Sequence, residues 1–283
     1  MLVIELGRWP GIIAVMAVQY DVEGLVVVVA GGTSGLGLSA ARQLIRQGAK
    51  VAVFGRTRST LDQALVELGR TAIGLVADAC LPESAPAVME AAVRAFGKVD
   101  ALYHVAGGSG RSRGDGPLHE MTDDGWRHTV DLNLTSVVYS NRAAVRQFLK
   151  QGGGGAILNV GSVLGWSPSP QYFASHAYAA TKAAIIGFSK ATASYYAKDD
   201  IRVNVIAPAL VETPMSQRAV GNEDIMSFIA AKQPLDGGRV GVPGDVDGAA
   251  LFLLSRQAGF ITGQVLAVDG GWTVSEGRSS PRS

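Results

Sequence analysis

A tyrosine and a lysine at i and i+4, Tyr178 and Lys182, sit in a stretch of helical period running from Ala174 to Ala197. That spacing puts two side chains on one face of a helix, so the phenol and the ammonium are expected to be neighbours. A free tyrosine titrates at about pH 10, too high to exchange protons readily at neutral pH. An adjacent cation favours the phenolate and should lower that value, making Tyr178 a usable general acid and base. Such pairs also arise by chance in many helices, so the meaning of this one depends on what the chain places beside it.

A second chemical signal precedes it. The segment Ala30-Gly31-Gly32-Thr33-Ser34-Gly35-Leu36-Gly37 follows an apolar run and opens an amphipathic stretch. Gly31, Gly35 and Gly37 permit a tight turn, a close approach of backbone to a pyrophosphate, and close packing of helix on strand. Thr33, Ser34 and Leu36 complete a helix start whose free N–H groups face the phosphates. The loop lacks the Gly-Lys-Ser/Thr ending of an ATPase phosphate loop, which excludes that class. The next apolar run ends in Phe54-Gly55-Arg56-Thr57-Arg58. An acidic residue at that strand end would hold the ribose hydroxyls of NAD. Gly55 stands there instead, and the planar fork of Arg56 suits a 2′-phosphate. NADP(H) is therefore favoured, with NAD(H) as the alternative.

The elements that must position these groups follow an alternating pattern. Strands are expected over Leu25–Ala30, Lys50–Phe54, Ala72–Ala77, Val99–Val105, Ala156–Val160, Arg202–Ile206 and Gln264–Val268. Helices are expected over Leu36–Gln47, Ser59–Leu68, Glu83–Phe96, Asp123–Lys150, Ala174–Ala197 and Pro243–Leu254. Alternation of this kind predicts an α/β, doubly wound, Rossmann-type fold with a seven-stranded parallel sheet flanked by helices. No composition shift divides the chain, so a single domain over residues 21–275 is expected, with an extension (1–20) and a flexible tail (276–283). The stretch Glu212–Val240 breaks the alternation after the sixth strand, where it would project from the carboxyl edge of the sheet as a lid.

Composition narrows the function classes. The chain has 283 residues, 47% hydrophobic and 17% charged, with a net charge of +1 from scattered residues. That balance argues against a nucleic-acid surface. The single cysteine, Cys80, allows no intrachain disulfide and fits a reducing compartment, read here as the cytoplasm. It reads as a small buried apolar residue near a strand end. The apolar stretch Trp9–Val18 is too short to span a membrane, which takes about 20 residues, and Met16 offers a blander start. An extension is favoured over a targeting signal.

From about Val22 to Val274 the chain resembles the short-chain dehydrogenase/reductase family. The glycine loop matches its cofactor motif, with Ala30 where threonine is usual. The resemblance implies that Asp78 contacts the adenine and that Ala106, Gly107, Pro208, Val211 and Thr213 line the cofactor. It implies a catalytic set of Asn133, Ser162, Tyr178 and Lys182. Ser162 and Tyr178 would hold the substrate oxygen, Tyr178 would exchange the proton, and Lys182, Asn133 and water would replenish it; Tyr178 and Lys182 would also contact the cofactor, Lys182 at the nicotinamide ribose. The implied activity is hydride transfer between a nicotinamide cofactor and a small-molecule carbonyl or secondary alcohol. A homodimer or homotetramer, built through the Asp123–Lys150 and Ala174–Ala197 helices, is implied as well.

The chain departs from the family in three places. His104-Val105-Ala106-Gly107 replaces the usual Asn-Asn-Ala-Gly, so His104 is expected to brace the strand end in its place. The stretch between Ser162 and Tyr178, with Ser167-Pro168-Ser169-Pro170, is long and would border the substrate; Trp166, Tyr172 and Phe173 are candidates for an apolar pocket, and His176 for a substrate contact. Ala209 replaces a glycine, a mild change unless that residue needs positive φ. Arg111 and Arg113, in the surface loop Gly108–Pro117, could meet an anionic substrate tail. Two other readings carry different signatures. A non-catalytic cofactor-binding regulator of the same fold should lack part of the catalytic set. A sugar-nucleotide epimerase should have a larger carboxyl-terminal domain and a different glycine spacing.

Overall fold

The run Val26-Val27-Val28-Val29 is apolar on both faces, which suits a strand covered by helices on both sides. It forms the centre of a seven-stranded, all-parallel sheet in a computed structural model that describes residues 19–277. Expectations for residues 1–18 and 278–283 lie outside the described residues. The strands are β1 (Val26–Ala30), β2 (Lys50–Gly55), β3 (Ala72–Val76), β4 (Ala101–His104), β5 (Gly155–Val160), β6 (Ile201–Pro208) and β7 (Val265–Val268). Their order is β3-β2-β1-β4-β5-β6-β7. The chain leaves β1 in one direction for β2 and β3, then returns to β4 on its other side. That reversal opens a crevice at the carboxyl ends of β1 and β4, where such folds bind ligands.

The helices are α1 (Gly35–Arg46), α2 (Arg58–Leu68), α3 (Ser84–Phe96), α4 (Asp123–Val130), α5 (Ser136–Gln151), α6 (His176–Tyr196), α7 (Gln217–Val220), α8 (Glu223–Lys232) and α9 (Pro243–Leu254). Two apolar layers hold them to the sheet. Val27, Val29, Val51 and Val53 pack with Leu44 of α1 and Val246, Ala250 and Leu254 of α9. Val26, Val28 and Ala52 pack on the other face with Val88 and Ala92 of α3 and Phe148 of α5. Each fully buried valine contributes on the order of 1.5 kcal/mol or more relative to exposure. Among the described residues no helix is long and apolar enough to cross a membrane.

One expectation on the elements is corrected and another gains detail. The helix expected over Asp123–Lys150 is two helices, because a π-turn over Asp131–Thr135 adds a residue between α4 and α5. Periodicity misses it because the apolar face is kept on both sides of the bulge. The stretch expected as a lid holds two helices, α7 and α8, and α8 packs Ile225 and Ile229 with Trp272.

Candidate active site

Two cavities meet at the carboxyl edge of the sheet. The larger, about 400 Å³, is lined by Gly31, Thr33, Ser34, Gly35, Leu36, Arg56, Asp78, Ala106, Gly107, Tyr178, Lys182 and Thr213 among others. The smaller, about 170 Å³, is lined by Ser162, Leu164, Phe173, Pro208, Leu210, Val211, Ala219, Trp272 and, again, Tyr178 and Thr213. Gly37 does not line the groove; it is buried where a Cβ would run into the Gly31 carbonyl, so it serves helix–strand packing. Gly31 turns with φ +78°, and a Cβ there would lie 2.8 Å from the Ala106 backbone nitrogen. The groove thus has the bare backbone floor and the helix amino terminus that a dinucleotide needs.

The groove runs on to the carboxyl end of β2. A Cβ at Gly55 would sit 2.6 Å from Thr33 Oγ1, so a larger side chain there would require Thr33 to move. Arg56 lines the groove, whereas Arg58 turns away to Asp62 at 3.6 Å. Asp78 accepts the Cys80 N–H at 3.0 Å. Cys80 is half-buried in the groove wall rather than fully buried as expected, and burial followed by Asp78 pushes its thiol up to about 12.

At the other end, α6 carries Tyr178 and Lys182 one turn apart. Lys182 Nζ donates to the Val160 carbonyl at 2.9 Å and lies 5.5 Å from the Tyr178 ring centre. Burial lowers the Lys182 ammonium to about 8. Burial likewise pushes the Tyr178 phenol up to about 12, with the Ser162 hydroxyl pulling it partly back. The expectation of a lowered tyrosine is therefore not met by the protein alone: desolvation of the phenolate outweighs the nearby lysine. Ser162, buried just beyond β5, accepts the Leu164 N–H on Oγ at 3.2 Å, and its own hydroxyl proton is directed at the Tyr178 phenol oxygen, where a substrate oxygen would also meet it.

Asn133 lies in the π-turn, fully buried. Its amide donates to the carbonyls of Gly108 (2.9 Å) and Thr129 (3.0 Å), and its oxygen accepts the Gly108 N–H at 3.0 Å. The side chain is thus spent on the backbone beside Gly107, whose absent Cβ would meet Asn133 Oδ1 at 2.8 Å and Lys182 Nζ at 3.7 Å.

His104 braces the strand end. The Ala106 carbonyl can only accept, so Nε2 carries the proton it receives at 3.0 Å, and Nδ1 is left to accept from Ser140 Oγ at 2.9 Å. Burial, then the Lys182 charge, lowers the imidazole to about 3, so it is neutral. Ala209 is not at positive φ, so losing a glycine there costs nothing. Of the loop aromatics, Phe173 lines the cavity, Tyr172 packs on Phe228 (5.3 Å), and Trp166 is exposed. His176 is an exposed residue at the start of α6 and lines neither cavity.

Three contributors escaped the sequence reading. Asp115, buried in the loop after β4, accepts the N–H of Ala177 on one oxygen and of Tyr178 on the other, both at 3.0 Å. It caps α6 at the residue that matters, from a distant loop, so no local capping pattern announces it. Trp272 closes the cavity, edge-on to Phe173 (5.9 Å) and Phe228 (5.7 Å), its indole N–H on the Ser167 carbonyl. Arg218, in α7, reaches the cavity rim.

With this geometry in place, the comparisons agree on the class. A family model described as Enoyl-(Acyl carrier protein) reductase matches residues 30–273. The cis-4-hydroxycyclohexanecarboxylate dehydrogenase of Sinomonas cyclohexanicum is 35% identical over 88% of this chain and 96% of its own. Among solved structures, a short-chain type dehydrogenase/reductase from Mycobacterium ulcerans superimposes with TM-score 0.83 at 30% identity, covering 91% of this chain and 92% of that one. A 3-ketoacyl-(acyl-carrier-protein) reductase from Brucella melitensis, complexed with NADH, does so with TM-score 0.79 at 30% identity, over 89% of this chain and 100% of that one. The chain belongs to the short-chain dehydrogenase/reductase family, enzymes acting on CH–OH groups.

Proposed function

We propose that the protein transfers hydride between NADP(H) and a small-molecule ketone or secondary alcohol, with Tyr178 as acid and base. One observation carries this reading: Tyr178 is the titratable side chain that lines both cavities among the described residues. The groove would hold the dinucleotide, which when bound supplies or accepts the hydride. Arg56, lining the groove beside a strand end that carries Gly55 and no carboxylate, supports the 2′-phosphate over NAD(H).

The chain's own residues divide the remaining work. In reduction, Ser162 and Tyr178 donate hydrogen bonds to the substrate oxygen and polarise the carbonyl. Tyr178 Oη then gives its proton to the oxygen as charge develops there, and takes one back in oxidation. Lys182, anchored to the Val160 carbonyl between groove and phenol, holds a positive charge near the site below about pH 8. Asn133 holds the Gly108 backbone and so the groove wall at Gly107. Presence of the whole set favours an enzyme over a cofactor-binding regulator. Self-association as a homodimer or homotetramer belongs to the same reading, supported by exposed Leu149 on α5 and Tyr195 on α6.

The test is a fluorescence titration with NADPH and with NADH, followed by the same titration and a carbonyl-reduction assay on Tyr178→Phe. NADPH should bind more tightly than NADH. The variant should keep that binding and lose turnover by roughly a hundredfold or more. Unchanged turnover in Tyr178→Phe overturns the mechanism; preference for NADH overturns the cofactor assignment.

A further inference from the structure

The smaller cavity is apolar through Leu164, Phe173, Leu210, Ala219 and Trp272, yet two arginines stand on its rim. Arg111 comes from the loop after β4 and Arg218 from α7. Both donate to one backbone carbonyl, that of Tyr172, at 3.1 Å and 3.3 Å. Two guanidinium groups sharing one acceptor lie close together, and like charges so placed repel. Burial first and the Arg218 charge second hold the Arg111 guanidinium below its ordinary value, with Asp115 partly opposing them.

One buried acid, Asp115, offsets part of the charge at Arg111, which leaves the pair with a net positive charge. Arg111 and Arg218 form no ion pair among the described residues, and what sets them apart from the other unpaired arginines is that they share one acceptor at the rim of a cavity. Asp115 is the acid whose charge is felt at Arg111, but its oxygens accept the Ala177 and Tyr178 N–H groups rather than either guanidinium, so one distant carboxylate faces two cations. Each guanidinium has five N–H donors, and the structure uses one from each. A neutral carbonyl does not balance two full charges facing an otherwise apolar wall.

We propose that Arg111 and Arg218 are a carboxylate clamp and that the substrate is a small organic acid. Its apolar body fills the space beside Phe173 and Trp272, its ketone or alcohol faces Ser162 and Tyr178, and its carboxylate meets the two arginine forks. Planar forks pair bidentately with carboxylates. The inference rests on the assignment of this cavity to the substrate and deepens it by naming the substrate class. It also explains why two cationic side chains are tolerated at the mouth of an apolar pocket: the ligand supplies the missing charge.

The experiment has a binding arm and a turnover arm, both on the full chain with and without NADP⁺. In the first, calorimetry compares benzoate with benzamide. Benzoate should bind at least about tenfold more tightly, and Arg218→Gln and Arg111→Gln should each reduce that preference by about tenfold, the factor expected for one charged hydrogen bond. Arg113→Gln, exposed on the same loop and outside the cavity, should leave the preference intact. In the second, aryl and cyclic keto acids are compared with their methyl esters. The acids should be favoured in kcat/KM, and the Arg218→Gln loss should appear in KM rather than kcat. Arg218 is exposed, so its variant keeps the test decisive if Arg111→Gln disturbs the loop. Equal binding of benzoate and benzamide, or a preference unmoved by either arginine variant, overturns the clamp even if neutral ketones are reduced. Benzoate held by the arginines with no carbonyl reduced by any cofactor overturns the oxidoreductase reading and leaves the clamp standing.

Discussion

His104 should make the protein acid-sensitive in a window set by its own titration. The imidazole is buried, with its two nitrogens hydrogen-bonded at 3.0 Å and 2.9 Å, and is lowered from 6.5 to about 3. A folded-state value below the unfolded one means that the unfolded chain binds a proton first as pH falls. The neutral form therefore costs nothing above about pH 6.5, and stability is lost progressively from there toward pH 3. At pH 5 the gap of about 1.5 units between solution pH and the unfolded value corresponds to about 2 kcal/mol. Lys182, lowered to about 8, is protonated in both states across pH 5–7 and adds no slope there. Carboxylates that titrate below this window are common to wild type and variant and cancel in the comparison. His104→Asn should therefore remove about 2 kcal/mol of destabilisation between pH 7.5 and pH 5. The assay is urea denaturation at both pH values, read as the difference between wild type and variant. For a domain of this size that difference is also worth roughly 4–8 °C in Tm at pH 5. Parallel pH dependences in the two proteins would refute the reasoning.

Two further outcomes follow from the site. Arg56→Gln should weaken NADPH binding by roughly ten- to a hundredfold while leaving NADH unchanged, measured by the same fluorescence titration, because one charge-assisted fork is lost from the phosphate end only. The conjugate change Arg58→Gln should alter neither, since that side chain faces Asp62. Asp115→Ala should strip the cap from α6 and leave the Ala177 and Tyr178 N–H groups without an acceptor, at a cost of about 2 kcal/mol. Thermal melting should fall by about 4–8 °C, and kcat should drop because Tyr178 loses its anchor; an unchanged melt would show that water replaces the carboxylate.

How much was legible in the sequence follows from the range of the forces involved. Apolar runs such as Val26–Val29 and the glycine loop from Gly31 to Gly37 dictate a strand, a turn and a helix start through local conformational preference. They brought the parallel sheet, the groove and its Arg56 end within reach of reading. The i, i+4 spacing likewise made Tyr178 and Lys182 neighbours before any packing was known. What the tertiary structure decided is what depends on desolvation and on distant partners. Burial, not the lysine, governs the Tyr178 phenol and lifts it to about 12. The π-turn that seats Asn133 leaves the apolar periodicity intact and so has no local signature. Asp115 capping α6, Trp272 closing the cavity, and Arg111 meeting Arg218 over the Tyr172 carbonyl join segments far apart in the chain. Such contacts are selected by the closure of the whole core, because only the packed sheet brings those loops to one edge, and no spacing along the chain encodes them.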